Sequence, residues 1–164
     1  MKTKVNKIII LLFAASALWA CNDAAIHKEI VDFKDAEWAV DDIQKFTFEV
    51  KDNTKSYSIN YMLRNAAQYP FYNIYLKSWL KDSTGASLES GMEELMLFDE
   101  KSGKPLGDGL GDLFDHKIGA AQYRDIKFPY NGTYTFELQQ NMRPDPLLGI
   151  MSVGFEVVDN TAEK

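Results

Sequence analysis

Residues 130–158, YNGTYTFELQQNMRPDPLLGIMSVGFEVV, carry the pattern that decides the fold class. Tyr134, Phe136 and Leu138 alternate with Thr135, Glu137 and Gln139. Met151, Val153, Phe155 and Val157 alternate with Ser152, Gly154 and Glu156. A period of two gathers each apolar set on one face, as in a half-buried β-strand. Between the runs lie residues 140–149, where Pro144 and Pro146 cannot donate to a ladder. The stretch predicts two strands joined by a polar, proline-containing connection at the close of an all-β domain.

Working outward, the same period recurs. Phe46, Phe48 and Val50 alternate with Thr47 and Glu49, and Tyr57, Ile59, Tyr61 and Leu63 alternate with Ser58, Asn60, Met62 and Arg64. These predict a hairpin turning at Asp52-Asn53-Thr54. Residues 73–81 resume as a strand after a loop at Tyr69-Pro70, and Asp82-Ser83-Thr84-Gly85 has turn chemistry. Met92, Leu95, Met96 and Phe98 suit a helix nearly as well as a strand, and the hairpin-like Lys101-Ser102-Gly103-Lys104 that follows favours a strand. Residues 107–112 read as a glycine-rich loop, residues 113–116 as a short helical turn, and residues 122–128 as one more strand. Seven or so short strands separated by turns predict a single β-sandwich, Ig-like or jelly-roll, over residues 38–158, with residues 159–164 as a C-terminal tail.

The beginning of the chain has other work. Lys2, Lys4 and Lys7 precede an apolar run over residues 8–13 and then Leu18-Trp19-Ala20-Cys21. The run is shorter than the roughly 20 residues that span a bilayer, so residues 1–20 read as an export signal. Leu18 and Ala20 before Cys21 resemble a bacterial lipobox, which implies cleavage before Cys21 and lipid on its sulfur. An ordinary secretory peptide cut near Ala17 or Ala20, or an uncleaved membrane helix, are the other readings. The position of the chain's only cysteine favours lipid. With Cys21 consumed, no disulfide, zinc-cysteine cluster or catalytic thiol is available. Residues 21–37, polar with scattered alanines, read as the lipidated cysteine and a tether.

Losing three lysines with the signal takes the formal charge from -6 to -9 and leaves 144 of 164 residues, enough for one domain with a full core. An acidic body on a lipid tether is expected to seek neither nucleic acid nor an anionic membrane surface by charge. Aromatics at 13% suit strands and also suit protein or sugar contact surfaces.

Several fragments fall in an order that resembles the gliding-motility lipoprotein GldH family of Bacteroidetes. They are Trp38, Phe46 with Phe48, Tyr57 leading to Leu63-Arg64, and Tyr69-Pro70-Phe71-Tyr72-Asn73-Ile74-Tyr75-Leu76. Leu110-Gly111-Asp112, Gly132-Thr133-Tyr134-Thr135-Phe136, Met142-Arg143 and Leu148-Gly149-Ile150 with Val153-Gly154 complete the series. The resemblance covers residues 38–157 and leaves residues 22–37 and 113–127 unmatched. It implies an envelope lipoprotein required for gliding and linked to type IX secretion, with neither enzymatic activity nor a cofactor. The expected place is the outer membrane facing the periplasm, and the expected partners are envelope proteins of that apparatus.

Candidate sites are few. His27 falls in the tether and His116 in a loop, neither beside a nucleophile or metal motif, and no G-x-S-x-G context offers a triad. Asp108, Asp112 and Asp115 amid glycines are weak calcium candidates, since hard cations take carboxylate oxygens on flexible loops, but solvated turn residues explain them as well. Arg64, Asn141, Met142 and Arg143 form the candidate partner surface, although an arginine can equally pair with a carboxylate or cover apolar surface. Tyr75 and Trp79 share strand parity opposite Ile74, Leu76 and Leu80 and form a candidate aromatic platform for sugar or protein. Ser83 and Thr84 follow Asp82 in a pattern resembling this phylum's O-glycosylation signal. Asn131-Gly132-Thr133 fits the asparagine glycosylation pattern but is explained by an Asn-Gly turn.

Overall fold

The computed structural model describes residues 25–162. In chain order the strands are β1 (Ala25–Asp32), β2 (Glu37–Trp38), β3 (Gln44–Val50), β4 (Tyr57–Ala66), β5 (Asn73–Lys81) and β6 (Ser87–Met96). There follow β7 (Asp108–Leu110), β8 (Leu113–Gly119), β9 (Gly132–Gln140), β10 (Leu147–Leu148) and β11 (Ile150–Asp159). They form a five-stranded sheet ordered β1-β11-β4-β8-β7, a four-stranded sheet ordered β3-β9-β5-β6 and a two-stranded ladder of β10 with β2. Every pairing is antiparallel. The result is the all-β sandwich.

The alternation explains the core. Phe46 and Phe48 of β3, Tyr134, Phe136 and Leu138 of β9, Ile59 and Tyr61 of β4, and Val153, Phe155 and Val157 of β11 are buried between the two large sheets. Lys45, Thr47 and Glu49 take the opposite parity and are exposed. Phe155 sits among the rings, with centroids 5.1 Å from Phe46, 5.5 Å from Phe48 and 5.3 Å from Phe136. On the other face of β11, Gly154 leaves room for β1: a Cβ there would lie 2.1 Å from the Glu29 carbonyl oxygen.

Residues 140–149 do not close a hairpin. They carry the chain from β9 in the four-stranded sheet to β11 in the five-stranded one. The same crossing corrects the expected hairpin of residues 46–64, because β3 and β4 lie in different sheets. A short connection can join two layers as readily as two neighbours, and burial of both apolar faces decides between them.

Other boundaries move. The expected tether over residues 21–37 is strand from Ala25, since β1 pairs with β11 from Ala25↔Val158 to Asp32↔Ser152. The domain therefore begins before residue 38, and Phe33 is buried against Trp38, their rings stacked at 4.9 Å. At the other end β11 includes Asp159, whose carboxylate takes Lys55 at 2.6 Å, so the tail starts later than residue 159. Residues 113–116 belong to β8 rather than to a helical turn. Within the expected loop, residues 108–110 are β7, hairpinned onto β8. Residues 122–128 supply no long strand: Ala121–Tyr123 is a 3-10 turn, and Ile126 makes a single bridge to Tyr57. The ambiguous residues 90–96 lie in β6, a strand. Residues 1–24, with the signal and Cys21, lie outside the described residues.

Candidate functional site

The connection after β9 is braced from beneath by one buried side chain. Gln140 accepts the Met142 amide at 2.7 Å and donates to the Pro144 carbonyl at 3.4 Å and the Trp38 carbonyl at 3.5 Å. Asp145 accepts the Val40 amide at 2.9 Å, and Gly149 donates to Ala36 at 2.9 Å from a left-handed backbone, φ 88°. The Asn141 amide donates to Tyr75 at 2.8 Å, and the Tyr75 amide points at the Met142 sulfur at 3.4 Å. This polar, proline-containing segment is thus held by hydrogen bonds to distant residues, because outside the short β10–β2 ladder its backbone groups have no pairing of their own.

Where this segment meets the outer face of β5 and β6 it leaves a groove of about 470 Å³. Phe71, Tyr75, Met92, Met142 and Pro144 supply apolar walls, and Asn141 and Arg143 the polar rim. Met92 is 54% exposed and Arg143 is exposed. Glu94 stands across from Tyr75 in the ladder and its hydrogen bond holds the Tyr75 phenol above the ordinary tyrosine range. The free edge of β6 adds Leu88 and Met96 as further exposed apolar side chains. Unbranched thioethers beside aromatics make an adaptable contact surface.

Arg64 is not part of it. It lies on the outer face of the five-stranded sheet and grips Asp115 with two hydrogen bonds, Nε at 2.7 Å and Nη2 at 2.8 Å. That pair sits directly across the β4–β8 ladder. The predicted partner surface is therefore divided, with residues 141–143 on one sheet and Arg64 on the other. The same pair engages Asp115, a calcium candidate, whose carboxyl Arg64 holds below the usual carboxylate range. Among the described residues no group of three His, Cys, Asp or Glu side chains is placed to hold a metal ion.

Tyr75 and Trp79 lie half-buried on one outer face, opposite the buried Ile74, Leu76 and Leu80, with Lys77 between them. Beside Trp79 the face is ionic: Glu137 takes Lys81 at 2.7 Å and Lys45 at 3.6 Å. Ser83 and Thr84 are exposed in a turn whose Asp82 carboxylate accepts the Thr84 hydroxyl at 2.6 Å. Asn131 precedes β9 rather than forming a hairpin turn, and its side chain accepts the Asn53 amide at 2.6 Å.

Both histidines leave their expected places. His27 is in β1, its ring 5.3 Å from Phe155, and contacts Glu29 at 3.3 Å. His116 is in β8, buried, with Nε2 2.7 Å from Asn65 Oδ1. Asn65 spends its amide on the Ala66 carbonyl, so Nε2 carries the proton. Burial lowers the His116 pKa, against the pull of Asp115 and Asp108. The folded state thus keeps imidazole neutral where the unfolded chain protonates it. That contribution is present above about pH 6.5 and is lost as pH falls through the lower folded value. His116→Gln, whose amide can still donate to Asn65, is expected to flatten the decline of melting temperature between pH 7 and 5. His116→Leu is expected to cost about 1–3 kcal/mol at neutral pH by orphaning the Asn65 oxygen. Parallel slopes for wild type and His116→Gln would remove this account.

One polar cluster had no sequence signal. Ser78, between Leu76 and Leu80, meets the Tyr61 hydroxyl at 3.2 Å and the Tyr123 hydroxyl at 3.0 Å, and Tyr61 donates to Glu93 at 3.1 Å. Glu93 also accepts the Ala121 amide at 2.8 Å, which ties the 3-10 turn to β6. Burial pushes both phenols above their ordinary pKa, Tyr61 far above it. Three hydroxyls from distant segments close the sandwich here.

A β-sandwich domain with a partly apolar groove at one rim is the class these features define. The model of the family described as GldH lipoprotein matches residues 25–157, so the chain belongs to that family. The match takes in residues 25–37 and 113–127, which carried no visible resemblance. It is 27% identical over 157 residues to a gliding motility lipoprotein GldH homolog of Christiangramia forsetii, covering 92% of this chain and 93% of that one. It is 29% identical over 155 residues to the gliding motility lipoprotein GldH of Flavobacterium johnsoniae, covering 90% and 93%. Among solved structures, the VP2 subviral particle of infectious bursal disease virus aligns at a TM-score of 0.35 and 10% identity. That alignment takes in 82% of this chain and only 33% of the viral one, and a likeness so distant carries no argument.

Proposed function

We propose that this chain is a lipid-anchored protein of the cell envelope, in the outer membrane facing the periplasm. It supports gliding motility and the associated type IX secretion machinery by protein–protein contact, without catalysis or a cofactor. The groove of Tyr75, Met92, Met142 and Arg143 is the observation that carries this reading. Large adaptable apolar side chains beside an arginine are what a central contact patch needs. The family membership and the names of the two relatives support the gliding-motility lipoprotein part of it.

The test is a photo-crosslinking amino acid at Met92 in living cells, with Thr47 on the far edge of the same sheet as control. Adducts with envelope proteins are expected at Met92 and not at Thr47. A Met92→Glu/Arg143→Glu variant is expected to weaken capture of that partner at least about tenfold, as for loss of contact-centre residues, and to impair spreading and secretion. Normal capture and normal spreading by this variant would sink the proposal.

A second reading, of another class, is glycan binding by Tyr75 and Trp79, favoured by their shared, half-exposed face. It predicts glycan affinity that Trp79→Ala abolishes while the melting temperature stays put. A glycan array on which both proteins are equally blank removes it.

A further inference from the structure

The described residues begin at one end of the sandwich. Ala25 is already laddered to Val158, beside the end of β4 at Tyr57. Cys21 precedes Ala25 by four residues, which span at most about 14 Å even when fully extended. If Cys21 carries the lipid, as the proposed function requires, this end of the domain has nowhere to go but the bilayer surface. The opposite end, with the groove at residues 141–144, stands about 30 Å farther out, the length of a ten-residue strand.

The loops at the near end form one bonded surface. Asn53 is tied to Asn131 and to the Pro129 carbonyl, Asn160 to Asp125, and Lys55 to Asp159. The carboxylates here hold hydrogen bonds: Asp52 accepts from Thr54, Asp82 from Thr84 and Ala86, Asp159 from Lys55 and Thr161, and the exposed Asp125 from Asn160. Lys51, Arg124 and Lys127 are exposed and make no ion pair among the described residues. Beside them Pro129 and Tyr130 are exposed, Tyr130 at 37%. An amphipathic ring among unpaired cations is the composition that settles at the headgroup level of a membrane. At the distal end one segment is acidic, residues 32–42 carrying Asp32, Asp35, Glu37, Asp41 and Asp42 against Lys34 alone, while Lys101, Lys104 and Arg143 are exposed elsewhere at that end.

We infer that, against the expectation from overall charge, the loop surface of Lys51, Arg124, Lys127 and Tyr130 is a local exception that the anchor brings against lipid headgroups, orienting the sandwich upright with its groove turned away from the membrane. The surface is made for anionic phospholipid rather than for a protein, because the cations lie within reach of the anchor.

The test uses the lipidated chain in vesicles of phosphatidylethanolamine and phosphatidylglycerol containing headgroup-nitroxide lipid. A fluorophore is placed on Ser83→Cys at the near end or on Gln68→Cys, just beyond β4 at the far end. Co-flotation with vesicles first establishes the anchor; its failure would refute the proposed function and not the orientation. In floated protein, quenching is expected to be at least about twofold stronger at position 83 than at 68, given the strand-length separation. Equal quenching overturns the orientation. Lys51→Glu/Arg124→Glu/Lys127→Glu in the same anchored chain is expected to reduce quenching at position 83. Unchanged quenching would overturn the headgroup contact, since the tether length alone would then set the distance.

Discussion

Phe155→Ala is expected to lower the unfolding free energy by about 3–5 kcal/mol, the cost of deleting a ring that cannot be replaced by collapse of its surroundings. Its side chain is fully buried and touches rings from three other strands: His27 of β1, Phe46 and Phe48 of β3, and Phe136 of β9. The backbone around it is fixed on both sides, since β11 is paired with β1 and with β4. Neither neighbour can move inward without dragging its own ladder, so the cavity stays. Domains of this size have about 5–15 kcal/mol in total, so the loss removes a large fraction of it. Urea unfolding measures this directly, with Thr47→Ala on the exposed face of β3 as a control expected within about 0.5 kcal/mol of wild type. A Phe155→Ala loss below about 1 kcal/mol would mean that the facing sheets repack freely and that the paired strands do not hold the cavity open.

The ring at position 155 also shows what a sequence of this kind discloses. Its parity with Met151, Val153 and Val157 made the strand readable, and the same period placed Tyr75 and Trp79 together on an outer face. Alternation reports which face is buried and is silent on which strand lies alongside. β3 and β4 look like a hairpin because they are adjacent, yet they lie in different sheets, and β3 packs across the core against β1 and β11. β1 was hidden for a different reason. Its inward positions are His27, Glu29 and Val31, a weak apolar set, and much of what holds it is backbone pairing to β11 over the gap left by Gly154. β8 was short and opened beside glycines, so its Leu113 and Phe114 read as a turn. The groove was legible only in part. Met142 and Arg143 stood out, but their companions Phe71, Tyr75 and Met92 come from other segments, and their convergence depends on register. Asp115 is 51 residues from Arg64, and nothing local in either segment announces that pair.

Cys21→Ser is expected to move the protein almost completely from the membrane to the soluble envelope fraction while leaving the domain's stability unchanged. The two halves of that result have separate causes. Each methylene buried in the bilayer contributes about 0.8 kcal/mol, so one acyl chain holds only marginally and two or more hold durably. On the proposed lipidation of Cys21, serine has no thiol to carry the diacylglycerol, and the whole anchor would go with one atom. The fold is expected not to depend on that atom, because among the described residues the ladder begins at Ala25 and the buried core lies in residues that follow it. Cell fractionation and mass measurement read the first half, and thermal melting of the purified protein reads the second. The combination is what makes the variant informative about function. The groove would be intact, yet its partner would meet it from bulk envelope rather than from a shared surface, where tethering raises effective concentration without any new contact. Spreading and secretion should therefore fail in Cys21→Ser cells even when the soluble protein still captures its partner in extracts. If spreading stays normal with the protein fully released, the anchor has no part in the activity, and an upright domain held at the bilayer is not what the machinery uses.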